Sequence, residues 1–140
     1  MNRMIHEGGC LCGELRLGTT DTPVRVMACH CVTCKKRTGA AFGVGVYFRE
    51  ADVELTAGSP RIHEFRSDTS GRWIRNELCP RCGTTVSWTL EMRPGIRGVA
   101  GGSFDDPGWF RIETHIWTRS ACSGIAYPDG AAVHPRALPV

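Results

Sequence analysis

The stretch Cys29-His30-Cys31-Val32-Thr33-Cys34 places three cysteines within six residues. Two further groups lie on either side of it, Cys10-Leu11-Cys12 and Cys79-Pro80-Arg81-Cys82. The three groups contain seven of the eight cysteines in the 140 residues, and only Cys122 stands apart. In a reducing compartment, such clusters are typical of metal ligands or redox pairs rather than of a disulfide framework. The spacing therefore predicts a fold organised around metal-bound cysteines.

The overall composition is that of an ordinary globular protein with a mild charge. Hydrophobic residues make up 41% of the chain, charged residues 22%, and the formal net charge is +3. A charge this small does not indicate binding to nucleic acid or to a membrane surface. The longest apolar run, residues 40–48, is about half as long as a membrane span, and residues 1–7 lack a secretory signal. We expect a cytoplasmic protein with no nucleic-acid or membrane partner.

Between the cysteine groups, short apolar or alternating segments are separated by turns rich in Gly and Pro, which favours strands. In residues 111–117, Ile112, Thr114 and Ile116 alternate with their neighbours, as a strand with two different faces requires. Strands are predicted at residues 14–17, 24–28, 44–48, 53–56, 62–66, 73–78, 84–90, 96–100 and 111–117.

A single short helix is predicted at residues 32–38, ended by Gly39. No repeat or internal linker interrupts the pattern. The predicted fold is therefore mainly β with little helix, in one domain of residues 1–140, with a loosely ordered tail at residues 131–140.

The first and last cysteine groups suit one closed zinc site. Pro80 fixes the turn between Cys79 and Cys82, as in a zinc knuckle, and Gly83 supplies a permissive backbone after it. Cys10 and Cys12 are two residues apart, so in an extended segment both sulfurs face the same way. Together the two pairs supply the four ligands of tetrahedral Zn²⁺ and would tie together segments 67 residues apart.

The middle group has three cysteines, and three protein ligands leave a fourth position open, as in catalytic zinc sites. The spacing alone does not fix this division, because Cys29 and Cys31 with Cys79 and Cys82 would also give four ligands. A redox-active pair at Cys79 and Cys82 is disfavoured, because such motifs open a helix and a strand is predicted here.

Several segments together resemble the glutathione-dependent formaldehyde-activating enzyme family, which includes the centromere protein V domain. The resemblance covers roughly residues 8–117 and departs from the family at Leu78, where an aromatic residue is usual, and at residues 121–124, which lack a tryptophan. The segments that carry it are Gly9-Cys10-Leu11-Cys12-Gly13, Cys29-His30-Cys31-Val32-Thr33-Cys34-Lys35-Lys36, Thr38-Gly39, Cys79-Pro80-Arg81-Cys82-Gly83-Thr84, Gly101-Gly102-Ser103-Phe104-Asp105-Asp106-Pro107 and His115-Ile116-Trp117.

The resemblance implies a β-tent fold of packed antiparallel sheets and two zinc ions per chain. It implies a structural zinc on Cys10, Cys12, Cys79 and Cys82. It also implies a catalytic zinc on Cys29, Cys31 and Cys34.

Three thiolates and one Zn²⁺ carry a net charge of about −1, which makes a weak Lewis acid that suits a soft fourth ligand such as a substrate thiolate. The function predicted is a zinc-dependent carbon–sulfur lyase or synthase, resembling S-(hydroxymethyl)glutathione synthase. Its partners would be a small glutathione-like thiol and a small aldehyde. The alternative is a non-catalytic zinc-binding adaptor module.

Other polar residues are weaker candidates. Residues 35–37, Lys-Lys-Arg, are interpreted as a solvated face, although a cation there would suit a substrate carboxylate. Thr33 and Thr38 lie beside the open site in sequence. The arginines around residues 67–71 would bind an anionic substrate or decorate an edge strand. These arginines are Arg66, Arg72 and Arg75.

Histidines and aromatic residues are interpreted mainly as structural. His115, on an alternating strand, is either a general acid or base or a structural histidine. His30 is expected to turn away from its neighbouring cysteines in an orienting or surface role, and Cys122 is expected to bind no metal. The aromatic residues expected in the core are Phe42, Trp73, Trp88 and Trp117.

Overall fold

In the computed structural model, residues 3–68 and 70–138 are described, and this part of the chain forms eleven strands and one α-helix. One-turn 3₁₀ helices follow three of the strands, at Glu50–Asp52, Gly101–Ser103 and Thr118–Ser120. The strands and the helix are β1 His6–Gly9, β2 Arg16–Thr19, β3 Arg25–Cys29, α1 Val32–Thr38, β4 Gly43–Arg49, β5 Val53–Ala57, β6 Arg61–Arg66, β7 Trp73–Leu78, β8 Thr85–Leu90, β9 Ile96–Ala100, β10 Thr114–Ile116 and β11 Ala132–Val133.

The strands form two sheets. A small antiparallel sheet has the order β1-β2-β5, and a large sheet has the order β11-β10-β3-β4-β9-β8-β7-β6. The large sheet is mixed rather than purely antiparallel, because β10 runs parallel to both β3 and β11. The predicted mainly β class with little helix is confirmed.

The hydrophobic core lies on one face of the large sheet, against side chains of the small sheet. Alternate residues of β4, Val46 and Phe48, are fully buried there, and Val99 of β9 is paired with Val46. Leu15 and Leu17 contribute the other side of the same cluster. We call the opposite face of the large sheet the outer face.

The outer face carries the residues that alternate with those of the core. On β3 these are Arg25, Met27 and Cys29, because Val26 and Ala28 are buried on the other side. On β4 they are Gly43, Gly45 and Tyr47, which pair with Cys29, Met27 and Arg25 respectively.

The helix α1 has the predicted bounds. Gly39 ends it in the left-handed conformation, with φ of 66°, and donates its N–H to the Lys35 carbonyl at 2.8 Å. No helix within residues 3–68 and 70–138 is long and apolar enough to span a membrane.

Strand boundaries differ from prediction where pairing, rather than local pattern, decides them. β2 begins at Arg16 instead of residue 14, because residues 10–15 form a turn closed by the Cys10 N–H to Leu15 carbonyl bond. β10 covers only Thr114–Ile116 of the predicted residues 111–117. Both outcomes follow from tertiary contacts that alternation does not report.

Two short strands were not predicted. β1 reads His-Glu-Gly-Gly, without apolar alternation, and Gly8 is required because a Cβ there would lie 2.5 Å from the Ser103 carbonyl oxygen. β11, Ala132–Val133, lies within the tail that was expected to be loosely ordered, and it pairs with β10. The last two residues of that tail, Pro139 and Val140, lie outside the described residues.

Candidate metal centres

The first and last cysteine groups meet as a cluster of four sulfurs. All four Sγ atoms, of Cys10, Cys12, Cys79 and Cys82, lie within 4.8 Å of one another. The Cys10–Cys12 and Cys12–Cys79 Sγ distances are 3.6 and 3.7 Å. Tetrahedral zinc with bonds of 2.3 Å requires sulfurs about 3.8 Å apart. The four-sulfur cluster therefore has the size of a closed zinc site.

Two similar turns build this cluster. After Cys79, the Gly83 N–H donates to the Cys79 carbonyl at 2.8 Å, and Gly83 has φ of 81°. After Cys10, the Gly13 N–H donates to the Cys10 carbonyl at 3.1 Å, and Gly13 has φ of 82°. Cys10 and Cys12 thus lie on a tight turn and not on the extended segment that the sequence predicted. The left-handed glycines let both turns fold back around a common centre.

Backbone donors also face the sulfurs of this cluster. The Leu15 N–H donates to the Cys10 Sγ at 3.2 Å, and the Cys82 N–H donates to the Cys79 Sγ at 3.5 Å. The Thr84 hydroxyl lies 3.2 Å from the Cys82 Sγ. Such contacts stabilise thiolates, the form in which cysteine binds metal. Hydrogen bonds from Thr84 lower the pKa of Cys82 to about 5.

The middle group forms a second cluster. Cys29 ends β3, Cys31 is the N-cap residue of α1, and Cys34 lies in the first helical turn. Their three Sγ atoms lie within 4.8 Å of one another, and all three side chains are half-buried. The Cys34 N–H donates to the Cys31 Sγ at 3.3 Å. The structure thus groups the sulfurs as four plus three, and the alternative that combines Cys29 and Cys31 with the Cys79 pair does not occur.

The three thiols of this cluster do not ionise independently. Contacts with Cys29 and Cys34 lower the pKa of Cys31 to about 2, and the contact with Cys31 raises that of Cys29. For Cys34, the contact with Cys29 lowers the pKa, but Cys31 and burial outweigh it and raise the pKa to about 11. The cluster on its own favours one negative charge, on Cys31, and a bound divalent cation would let all three become thiolates. Among the described residues, the cluster has no His, Asp or Glu as a fourth member.

Arg37 belongs to the surroundings of this cluster. A Cβ added at Gly43 would lie 2.6 Å from the Arg37 Nη2 and 3.3 Å from the Cys34 Cβ, so the missing side chain makes room for both. The guanidinium lies over the Trp88 ring, 4.3 Å from its centroid. Its charge helps to lower the pKa of Cys34. The strand predicted at residues 44–48 did not include Gly43, so no signal in the sequence indicated this close approach, although a glycine within a strand often marks one.

The interpretation of residues 35–37 as a solvated face is wrong for two of the three. The Lys35 Nζ donates to the Ser120 carbonyl, and Arg37 is held against Trp88. Only Lys36 is exposed. The Thr38 hydroxyl donates to the Cys34 carbonyl at 2.9 Å and so supports the end of the helix.

A buried histidine pair lies behind the three-cysteine cluster. His30 is fully buried, and its Nε2 lies 3.0 Å from the Nδ1 of His115, which is 6% exposed. The rings of Phe42 and Tyr127 pack around His30. Burial lowers the pKa of both histidines, and the charges of His115 and Lys35 lower that of His30 further. The expectation of a surface His30 is wrong, and Tyr127 is a neighbour that sequence analysis missed.

The remaining candidates lie away from both clusters. Arg72 pairs with Glu91 at 3.6 Å, and Arg75 pairs with Glu64 at 2.5 Å. They lie on or near β6 and β7 at the far edge of the large sheet, so the edge interpretation holds for them. The third, Arg66, donates to the Gly71 carbonyl at 2.9 Å. Thr69, within the same turn, lies outside the described residues.

Of the four aromatic residues expected in the core, only Trp88 is buried, and it packs over Gly45 and Gly98 on the outer face. Trp73 and Trp117 are half-buried and carry Arg75 and Arg119 over their rings. Phe42 is half-buried against His30.

The fold and the clusters define a class, a mainly β protein with two sets of clustered cysteines that could bind metal. The chain belongs to the glutathione-dependent formaldehyde-activating enzyme family, whose model matches residues 5–120. The family's description points to an activity with glutathione and formaldehyde.

A solved structure of a Rhodobacter sphaeroides protein is similar to this one, with a TM-score of 0.55 and 18% identity. The similarity covers 91% of this chain and 98% of that chain, and at such an identity it supports the fold alone. No curated protein matches the sequence significantly.

Proposed function

We propose that this protein is a zinc-dependent carbon–sulfur lyase or synthase that joins a thiol to a small aldehyde, or catalyses the reverse cleavage. The observation that carries the proposal is the cluster of three half-buried sulfurs, those of Cys29, Cys31 and Cys34, within 4.8 Å of one another. Glutathione and formaldehyde, named in the family's description, are the first substrates to test.

Both clusters fit zinc by the chemistry and spacing of their donors. Cys10, Cys12, Cys79 and Cys82 would fill a tetrahedron and hold a structural ion, and Cys29, Cys31 and Cys34 would hold a second ion. When bound by three thiolates, zinc supplies a position for a substrate thiol and lowers its pKa. Because the four-sulfur cluster joins residues 10–12 to residues 79–82, it also supports a single zinc-binding domain rather than two.

The proposed reaction needs no oxidant and no other co-reactant. The deprotonated sulfur of the thiol forms a bond to the carbonyl carbon of the aldehyde. The electron pair of the C=O double bond moves to the oxygen, which takes up the proton that left the thiol. The product is a hemithioacetal, and the reverse reaction breaks the same carbon–sulfur bond.

The protein's own residues would hold the site in shape. Arg37, packed on Trp88, places a positive charge beside Cys34, which would favour a thiolate there once a metal is bound. The Ser120 hydroxyl donates to the His30 carbonyl at 3.0 Å and fixes the backbone between Cys29 and Cys31. Fixed geometry of this kind favours a single orientation of the bound reactants.

The test is a panel of thiols and aldehydes, followed by NMR detection of the adduct, with Cys31→Ser and Cys122→Ser as a matched pair. Cys122 is exposed and lies in neither cluster. We expect two zinc ions in the wild type and in Cys122→Ser, and one in Cys31→Ser. Turnover should fall at least about 100-fold in Cys31→Ser alone, because a lost catalytic metal removes both binding and activation of the thiol.

Zinc binding without turnover of any pair would overturn the proposal and favour a non-catalytic adaptor. Full turnover in Cys31→Ser would also overturn it, because the three-cysteine cluster would then not be the site of the reaction.

A further inference from the structure

A cavity of about 470 Å³ opens on the outer face of the large sheet. Its walls are aliphatic and aromatic side chains from several strands and from the C-terminal segment. They include those of Met27, Tyr47, Leu90, Ile96, Ile116 and Leu138. A volume of this size suits a small organic ligand, and apolar walls favour an apolar one.

The cavity begins next to the three-cysteine cluster. Met27 lines it and lies two residues before Cys29 on the same face of β3, about 7 Å along the strand. Ile116 also lines it and is paired with Cys29 across β10 and β3. The wall of the cavity therefore ends beside Cys29, so a ligand that extends past Ile116 would approach the three sulfurs.

The Trp88 and Tyr47 rings pack edge to face over two glycines, between the cavity and the cluster. A Cβ at Gly98 would lie 2.4 Å from the Trp88 Nε1, and a Cβ at Gly45 would lie 2.6 Å from the Tyr47 ring. The Trp88 indole donates to the Tyr47 hydroxyl at 3.3 Å. Because Arg37 covers the other part of the Trp88 ring, a continuous row of side chains runs from Cys34 to the cavity.

The far end of the cavity is cationic. Arg25, four residues before Cys29, and Arg93, in the turn between β8 and β9, both line it. Within the described part of the chain, neither forms an ion pair with a carboxylate. Four residues of strand span about 13 Å, of which an extended chain of roughly eight carbons covers about 9 Å, and the long, flexible arginine side chain covers the rest. Unpaired guanidinium groups at that distance favour a carboxylate at the end of the ligand.

We propose that this cavity binds the body of the aldehyde substrate, and that the preferred aldehyde is a chain of about eight carbons that ends in a carboxylate. The assignment of the reactive end to the three-cysteine cluster rests on the proposed function. Glutathione fits the cavity poorly, because it is polar along its whole length and the walls are apolar.

Binding is tested separately from turnover with octanoate, which has the carboxylate and the apolar chain but no aldehyde. Calorimetry with the zinc-loaded full chain should give saturable binding at one site per chain. Arg93→Glu and Met92→Glu should weaken it at least about tenfold, because each places a negative charge at the cavity wall. Met92 is 45% exposed, so this substitution is compatible with folding. Arg61→Glu is the matched control, because Arg61 is an exposed arginine on β6, away from the cavity.

Turnover is then compared for 8-oxooctanoate and formaldehyde with the same thiol. The kcat/KM for 8-oxooctanoate divided by that for formaldehyde should exceed one in the wild type and in Arg61→Glu. In Arg93→Glu this ratio should fall about tenfold, in parallel with the expected loss of octanoate affinity.

Three results separate the possible failures. Turnover of formaldehyde without octanoate binding would overturn the cavity assignment alone. Octanoate binding without turnover of either aldehyde would overturn the proposed function and the assignment of an aldehyde substrate to the cavity. The cavity would then remain a binding site for a carboxylate. A dimer that buries the cavity and excludes octanoate, detected by sedimentation, would give the cavity to a second copy of the chain and overturn the proposal.

Discussion

In both cysteine clusters a backbone N–H donates to the sulfur of the cysteine three residues before it, but the clusters are assembled in different ways. In the four-cysteine cluster, two members, Cys10 and Cys79, are almost completely buried, and the cluster joins segments 67 residues apart. In the three-cysteine cluster, all members are half-buried and lie within one strand end and the following helical turn. The first is built like a cross-link of the fold, and the second like a site open to a ligand. Stability and reactivity can therefore be changed separately.

The largest expected effect is loss of folding in Cys79→Ser. Cys79 has no exposed surface, and the substitution would break the proposed closed zinc site, whose metal would contribute to folding directly. The loss should be several kcal/mol, comparable with the whole stability of a small domain, which is about 5–15 kcal/mol. Thermal unfolding followed by circular dichroism should show no cooperative transition for Cys79→Ser, and a near-normal one for Cys31→Ser. Equal melting curves for the two variants would contradict the division of roles.

A smaller effect, on activity more than on folding, is expected for Gly43→Ala. The added Cβ would meet the Arg37 Nη2 at 2.6 Å and displace that flexible side chain at little cost in stability, and it would press on the Cys34 Cβ at 3.3 Å. We expect kcat/KM to fall about tenfold or more, while the unfolding transition stays cooperative. Gly102→Ala is the control, because nothing lies within 4 Å of a Cβ at that position. Unchanged kinetics in Gly43→Ala would mean that Arg37 does not support the three-cysteine cluster.

The smallest expected effect concerns pH. Burial lowers the pKa of His115 in the folded protein, so the unfolded chain binds more protons below about pH 6.5. Stability is therefore full above that pH and falls as the pH decreases towards the lowered pKa of the folded state. His115→Asn should show a shallower decrease between pH 6.5 and 5 in denaturant unfolding.

Any metal-bound cysteines would also take up protons in acid, in the wild type and in His115→Asn alike. The informative quantity is therefore the difference between the two proteins in the slope of unfolding free energy against pH. An identical slope in the variant would show that the histidine pair does not contribute. Because His30 lies between Cys29 and Cys31, a change in the histidine pair should affect the three-cysteine cluster and not the four-cysteine cluster.

Local spacing was enough to predict the three cysteine groups and the helix ended by Gly39, because each depends on a few neighbouring residues, but it left open which groups combine. Pairing across the fold was not predictable in this way. The strand β1 exists because Gly8 accepts the close approach of residue 103, and the His30–His115 pair joins residues 85 positions apart. Arg37 was interpreted as part of a solvated face because its partner, Trp88, lies on a strand distant in sequence. Contacts of this kind require the register of the sheet, which a single sequence does not give.

The difference in span between the two clusters also sets an order of events during synthesis. The six residues from Cys29 to Cys34 leave the ribosome almost together, so they can capture an ion while the chain is still growing. Cys10 and Cys12 must wait for Cys82 to emerge before their site can close. Closing a longer loop costs more entropy, which delays this step further. The nascent protein would thus assemble the three-cysteine cluster first and close the four-cysteine cluster last.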